Sequence, residues 1–123
     1  MRNINFREKL IERARELAKK VIKLVDDFPK KNASWVISDQ LLRSTTSIGA
    51  NIVEAQAASS KKDFVNFLHY ALKSGNETLF WLSLAKELGM EDDSDIIVLE
   101  KETEELVKIL SSSLLTLKGR KKL

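Results

Sequence analysis

From Asn5 to Phe28, apolar side chains recur at Phe6, Leu10, Ala14, Leu17, Val21, Leu24 and Phe28, the three-and-four spacing that lines one face of a helix. Pro29 closes that run, because the residue ahead of a proline is pushed out of the helical region. A loop over 30–37 carrying Trp35 is expected next. Ser38 then reads as the N-cap of a second helix, with Asp39 in its first turn and Ile37 stapled onto Leu42. In that helix Leu41, Thr45, Ile48, Ile52 and Ala55 form a heptad-like seam, while the small residues Ser47, Gly49 and Ala50 leave room for another helix to come close. Ser60-Lys61-Lys62-Asp63 resembles a capping box with Asp in place of Glu or Gln and opens a third helix. Its stripe Phe64, Leu68, Ala71, Gly75, Leu79 and Leu82 lies beside a second stripe, Phe67, Ser74, Thr78, Trp81 and Ala85. A helix apolar over that much of its circumference has to be covered on most sides. Gly89 supplies the stop, and Asp92, Asp93, Ser94 and Asp95 gather where the positive end of the next helix dipole falls. Ile96, Leu99, Thr103, Leu106, Leu110, Ser113 and Leu117 make the seam of a fourth helix.

The pattern predicts a single all-α domain over 1–123, with helices at about 5–28, 38–58, 61–88 and 94–118 and a basic, frayed tail over 119–123. Helices of roughly 20 to 28 residues are about 30 to 42 Å long at 1.5 Å per residue. With such short connections they pack as an antiparallel up-down four-helix bundle. Composition agrees, since one proline and four glycines oblige little of the chain to be loop. The absence of cysteine removes disulfides and thiolate metal sites. No run approaches the roughly 20 apolar residues needed to span a bilayer, and Met1 to Phe6 lacks the apolar stretch of a secretory signal. A cytoplasmic protein without a membrane partner is the expectation.

Net charge is +3, and its distribution says more than its sum. Residues 1–31 carry ten Lys or Arg against five Asp or Glu, whereas 91–117 carry two against eight, and the last six residues add four positive charges. The first helix thus presents a basic ridge with Lys9, Arg13, Lys20 and Lys23, and the tail adds Lys118, Arg120 and Lys121. This set is the candidate contact for the phosphates of RNA or DNA, and without a recognition motif such contact is backbone-directed and poor in sequence preference. The bland alternative is a solvated face paired with the acidic fourth helix.

A catalytic constellation is missing. A carboxylate-bridged dimetal site in a bundle needs Glu-x-x-His on two helices, but the only histidine, His69, is preceded three residues earlier by Asn66. There is no nucleophile elbow, and Gly49, Gly75, Gly89 and Gly119 are too isolated to cradle a phosphate. No metal and no cofactor are expected. Arg43, Ser47, Asn51 and Glu54 are spaced to face one side of the second helix, where Ser74 and Glu77 of the third can meet them. Three readings stand: a structural network within the bundle or between subunits, a solvated face, or a ligand site. Phe67, Phe80 and Trp81 cannot all point into one core from a single helix, so either long loops or another copy of the chain covers the surplus.

Taken together, Gln40-Leu41-x-Arg43-Ser44-x-x-Ser47-Ile48-x-x-Asn51-Ile52-x-Glu54 and Asp63-Phe64-x-x-Phe67-Leu68-x-x-Ala71-x-x-Ser74-x-x-Glu77 resemble the bacterial four-helix-bundle family of proteins encoded in intervening sequences of large-subunit ribosomal RNA genes. The family shape includes the accessory protein of diversity-generating retroelements. The resemblance implies a bundle that assembles into a five-fold ring, a homopentamer with no known enzymatic activity. For the retroelement members it implies a basic surface that contacts nucleic acid and a reverse transcriptase. Arg43, Ser47, Asn51, Glu54, Ser74 and Glu77 are the polar signature positions under this resemblance. Ala55 stands where the family usually has glycine, which bears on the bend before the third helix. The expectation is a non-enzymatic homo-oligomeric scaffold that binds nucleic acid through its first helix and tail. Its rival is a protein-interaction module whose basic ridge is incidental, and an enzyme built on Arg43, Glu54 and Glu77 is a distant third.

Overall fold

The structure, a computed structural model, describes residues 5–121, with side chains through Gly119. It consists of four helices, α1 (Phe6–Asp26), α2 (Asn32–Gln56), α3 (Lys61–Glu87) and α4 (Asp93–Lys121). α1 starts where the Asn5 side chain accepts a hydrogen bond from the Glu8 N–H at 2.9 Å, satisfying one of the donors a helix start leaves unpaired. It stops at Asp27, and Phe28 folds back into the core just ahead of Pro29.

α2 departs from the expectation. It begins at Asn32, so the anticipated loop over 30–37 is already helical and Ser38 is no N-cap. Ser38 is buried inside the helix, Ile37 enters the core directly, and the staple onto Leu42 lapses. Past Pro29 nothing up to Ser38 breaks a helix, and the Trp35 N–H already bonds the Lys31 carbonyl at 3.0 Å. Lys31 offers no side-chain cap, so burial of Ile37, rather than a local signal, holds these first turns. Trp35 rides the opening turn, 57% exposed, with the Lys30 ammonium 5.7 Å from its ring centroid.

The other boundaries follow their local chemistry. Ser60 accepts from the Asp63 N–H at 3.1 Å, and the Asp63 carboxylate accepts from the Ser59 hydroxyl at 3.0 Å, so the box closes on Ser59 instead of on the cap residue's own amide. α3 ends in a Schellman motif: Gly89, at φ +66°, donates to the Lys86 carbonyl, and Met90 donates to the Ala85 carbonyl. Asp92 opens α4 by accepting from the Ser94 hydroxyl and, at 2.8 Å, from the Ser94 N–H. Hydrogen bonds to the ionised form hold the Asp92 carboxyl below the usual carboxylate range. α4 then runs through Gly119 to Lys121, past the expected frayed end.

Each helix packs on its two neighbours around the ring, α1 on α2 and α4, α3 on α2 and α4, and the α1/α4 seam is the loosest. The expected seams are the core: Leu17, Leu41, Ile48, Ile52, Leu82, Ile96, Leu106 and Leu110 are fully buried. Two glycines set helix spacing. A Cβ on Gly75 would lie 2.8 Å from Val107 Cγ2, and one on Gly49 would lie 3.3 Å from Ala14 Cβ. Between α2 and α3 a hydroxyl cluster is buried in the same layer. Thr78 Oγ1 lies 3.0 Å from Ser44 Oγ, 3.5 Å from Thr45 Oγ1 and 2.8 Å from the Ser74 carbonyl, while Thr45 donates to the Leu41 carbonyl at 2.7 Å. Every buried side-chain polar atom among the described residues has a partner. The cluster therefore carries no desolvation penalty and fixes the register of α2 on α3.

Two outcomes follow from this packing. Gly75→Ala gains about 1 kcal/mol of helix propensity but overpacks Val107, whose branched side chain has one favoured rotamer in a helix, at a cost of about 1–3 kcal/mol. Urea denaturation should therefore show Val107→Ala destabilising the wild type yet stabilising the Gly75→Ala variant. For Asp92, a depressed native pKa means that its contribution is complete above the unfolded carboxyl range and is lost as pH falls through the native value. Asp92→Ala should lower Tm at pH 7, and the two melting curves should converge as the pH drops below that value.

Candidate interface on the second and third helices

The short connections leave one flank of the α2/α3 layer bare. On that flank α2 presents Gln40, Arg43, Ser47, Asn51 and Glu54, and α3 presents Tyr70, Ser74, Glu77 and Trp81, because residues three and four apart share a helical face. The Arg43 guanidinium is ion-paired with the Glu77 carboxylate across the two helices. Gln40 Oε1 accepts from Arg43 Nη2 at 2.9 Å and Nε at 3.2 Å, and Glu77 also accepts from the Trp81 indole N–H at 3.3 Å. Arg43 and Glu77 thus form one knot with Gln40 and Trp81.

The remaining signature residues do not join it. Ser47 donates to the Arg43 carbonyl at 2.7 Å and Asn51 to the Ser47 carbonyl at 2.8 Å, each bonding back along its own helix. Glu54 is exposed and makes no hydrogen bond or ion pair among the described residues. Ser74 enters through its carbonyl, which accepts from Thr78. Gln40, quoted in the signature motif but given no role there, sits one turn ahead of Arg43 at the spacing where such side chains pair, and Tyr70 escaped the sequence reading.

The aromatics divide. Phe67 and Trp81 are half-buried against the core, whereas Phe80 and Tyr70 are 58% and 50% exposed. Phe80 meets Trp81 edge to face at 4.9 Å between centroids, and Phe67 meets Tyr70 at 6.0 Å. No loop among the described residues reaches them, since the turns span only 27–31, 57–60 and 88–92. Val36 and Trp35 extend the exposed apolar surface at the start of α2.

The basic ridge is interleaved with acids. Arg13 pairs with Glu105 and lies 3.8 Å from Glu102, both on α4. Lys20 and Lys23 share a surface cleft with Asp27 and Asp95. Lys9 and Lys118 are exposed and make no ion pair among the described residues. The candidate cations Arg120 and Lys121 lie outside the residues whose side chains are described. Toward the opposite end, Lys86 clasps Glu100 at 2.7 Å, and that hydrogen bond raises the ammonium pKa above its ordinary value.

A family model for the 23S rRNA-intervening sequence protein matches residues 8–112. The chain belongs to that family. The matched region takes in all of α2 and α3, and with them the whole Arg43–Glu77 flank. No curated protein matches the chain. Among solved structures, a protein of unknown function from the S23 ribosomal protein family of Bacteroides thetaiotaomicron VPI-5482, at 1.70 Å resolution, is 35% identical. That similarity has a TM-score of 0.80 and covers 85% of this chain and 97% of the other. The fold of this intervening-sequence family member is thereby tied to a crystallographic relative. Among its described residues no group of His, Asp and Glu is placed to hold a metal, and no helix is long and apolar enough to cross a membrane.

Arg43 and Glu77 are 52% and 37% exposed at their side chains, which places their attraction in the range of solvent-screened pairs. A double-mutant cycle of Arg43→Met and Glu77→Gln, read by chemical denaturation of dilute protein, should give a coupling of about 0.2–1 kcal/mol.

Proposed function

We propose that this protein is a non-enzymatic scaffold whose copies dock on one another through the bare flank of α2 and α3, closing a ring that the family resemblance puts at five. The observation that carries this reading is Phe80 and Tyr70 standing exposed, with Trp81 half-buried between Phe80 and the Arg43–Glu77 knot, and no segment of the described chain to cover them. Interfaces that last are built from buried aromatic anchors with arginine beside them and a polar rim that excludes water. The flank has that composition: aromatics and Arg43, with the polar Ser47, Asn51 and Glu54 farther along α2. In a docked assembly the Arg43–Glu77 pair loses solvent and its attraction strengthens, so the same residues that contribute little to one bundle specify how two bundles meet.

A second reading, contact with the phosphates of RNA or DNA, is favoured by Lys9, Lys20, Lys23 and Lys118, which are exposed and make no ion pair among the described residues. Arg13 drops out of that set because Glu102 and Glu105 already occupy it. A ring would repeat the remaining cations in every subunit, and many weak phosphate contacts then add up with strong salt dependence.

Both readings are tested on one protein series. Light scattering should give a multiple of the chain mass for the wild type and the single-chain mass for Phe80→Glu/Trp81→Ala with helical content unchanged. A compact single chain at high concentration in the wild type would overturn the scaffold reading. Titration of labelled RNA at two salt concentrations should show binding that the Lys9→Glu/Lys20→Glu/Lys23→Glu variant weakens by at least about tenfold.

A further inference from the structure

Beyond the α2/α3 flank, an apolar cleft lies at the end of the bundle where α1 begins and α4 finishes. It holds about 610 Å³, within the range of small-molecule sites. Two further surface clefts each hold less than half as much. Its walls are apolar, with Phe6, Leu10, Phe64, Leu68 and Ile109 contributed by three helices. Phe6 stands 58% exposed, the one member of the α1 seam that finds no cover. The cleft borders the α1/α4 seam, the loosest of the four helix seams.

The charges around the cleft have one sign. Arg7 and Lys108 line it, and the other polar lining residues, Gln56, Ser112, Ser113 and Thr116, are neutral. Among the described residues, no carboxylate side chain lines it. Glu105, one turn before Lys108, is engaged by Arg13, and the Arg7 guanidinium sits 5.1 Å from the Phe64 ring centroid. Two cations beside an apolar trough select a ligand with an apolar body and an anionic head. The shape narrows the class. The α4 wall runs from Lys108 to Leu117, about 14 Å at 1.5 Å per residue. A fully extended chain of about twelve carbons is of similar length, given C–C bonds near 1.5 Å.

We propose that this cleft binds a free acyl-chain carboxylate of medium length, with its head at Arg7 and Lys108 and its chain along the trough between α1, α3 and α4. The ligand replaces water on Phe6 and closes the weakest seam of the bundle, so its binding energy adds to fold stability by mass action. The inference does not depend on the scaffold reading, because none of the residues on the α2/α3 flank lines the cleft.

The test is isothermal titration of dodecanoate, below its micellar concentration, into the full-length protein. The expected result is saturable binding at one site per chain. Dodecyltrimethylammonium, with the same chain and the opposite charge, should bind at least about tenfold more weakly, as should dodecanoate to Arg7→Glu/Lys108→Glu. Ser113→Phe, which fills the trough without altering its charge, should weaken dodecanoate by a similar factor, with circular dichroism confirming that both variants fold. Absence of saturable binding, or equal affinity for the anion and the cation, overturns the proposal. A change in particle mass on adding dodecanoate overturns it in favour of a second copy in the cleft. Tightening by about tenfold in Ile4→Asp or Leu123→Asp overturns it in favour of the chain's own ends.

Discussion

α3 must satisfy two neighbours at once, and the rest of the bundle is arranged around how it does so. Toward α4 it removes a side chain altogether: Gly75 lets Val107 come within van der Waals reach of the backbone. Toward α2 it uses hydroxyls, with Thr78 set among Ser44, Thr45 and the Ser74 carbonyl. The first contact is steric and the second directional. A glycine contact alone lets two helices slide; a buried hydroxyl cluster does not, because a slip of one residue leaves polar groups unpaired at about 1–3 kcal/mol each. Spacing is thus set on one side of α3 and register on the other, and the aromatic residues that fit neither side are left facing outward.

Charge is organised along the bundle more than across it. The turn between α3 and α4 gathers Glu91, Asp92, Asp93 and Asp95, next to the α1 end that holds Asp26 and Asp27. The opposite end holds Arg7, Lys9, Lys61, Lys62 and Lys118. Across the α1/α4 seam the two signs meet and neutralise, as Arg13 does with Glu102 and Glu105. A helix that looks basic in isolation therefore projects little net field sideways, and an anion approaching the bundle meets positive potential chiefly at one end.

Most of the fold is legible in the sequence because apolar periodicity survives packing unchanged. Apart from Phe6 at the start of α1 and Ser113 and Leu117 toward the end of α4, the seams of α1, α2 and α4 are buried, and Gly89 and Ser60 terminate and open helices for local reasons that need no tertiary information. The start of α2 is different. Ser38-Asp39 has the chemistry of a cap, yet Ile37 and Ser38 are worth more buried than exposed at a helix end, so tertiary packing extends the helix back to Asn32. The polar face is legible only in part. The spacing of Arg43 and Glu77 shows that each can face the other helix, but Ser47 and Asn51 have carbonyls of their own helix within reach and take them. Short polar side chains on helices have that local alternative, and long ones do not. For the same reason the hydroxyls of Thr45 and Thr78 hide in apolar seams, where periodicity alone treats them as small hydrophobes.

Membership in the 23S rRNA-intervening sequence protein family and a 35%-identical crystallographic relative tie the architecture to a fold without supplying a chemistry for it. Among the described residues, every buried side-chain polar atom has a hydrogen-bond partner. What the chain leaves unsatisfied is apolar surface, at two places with different character. The α2/α3 flank is broad, aromatic and laced with an arginine–carboxylate pair, which suits another protein surface of comparable extent. The cleft at the α1 start is apolar and flanked by Arg7 and Lys108, which suits a slender amphiphile. Both draw on α2 and α3, yet no residue of the flank lines the cleft, so occupation of one does not fill the other.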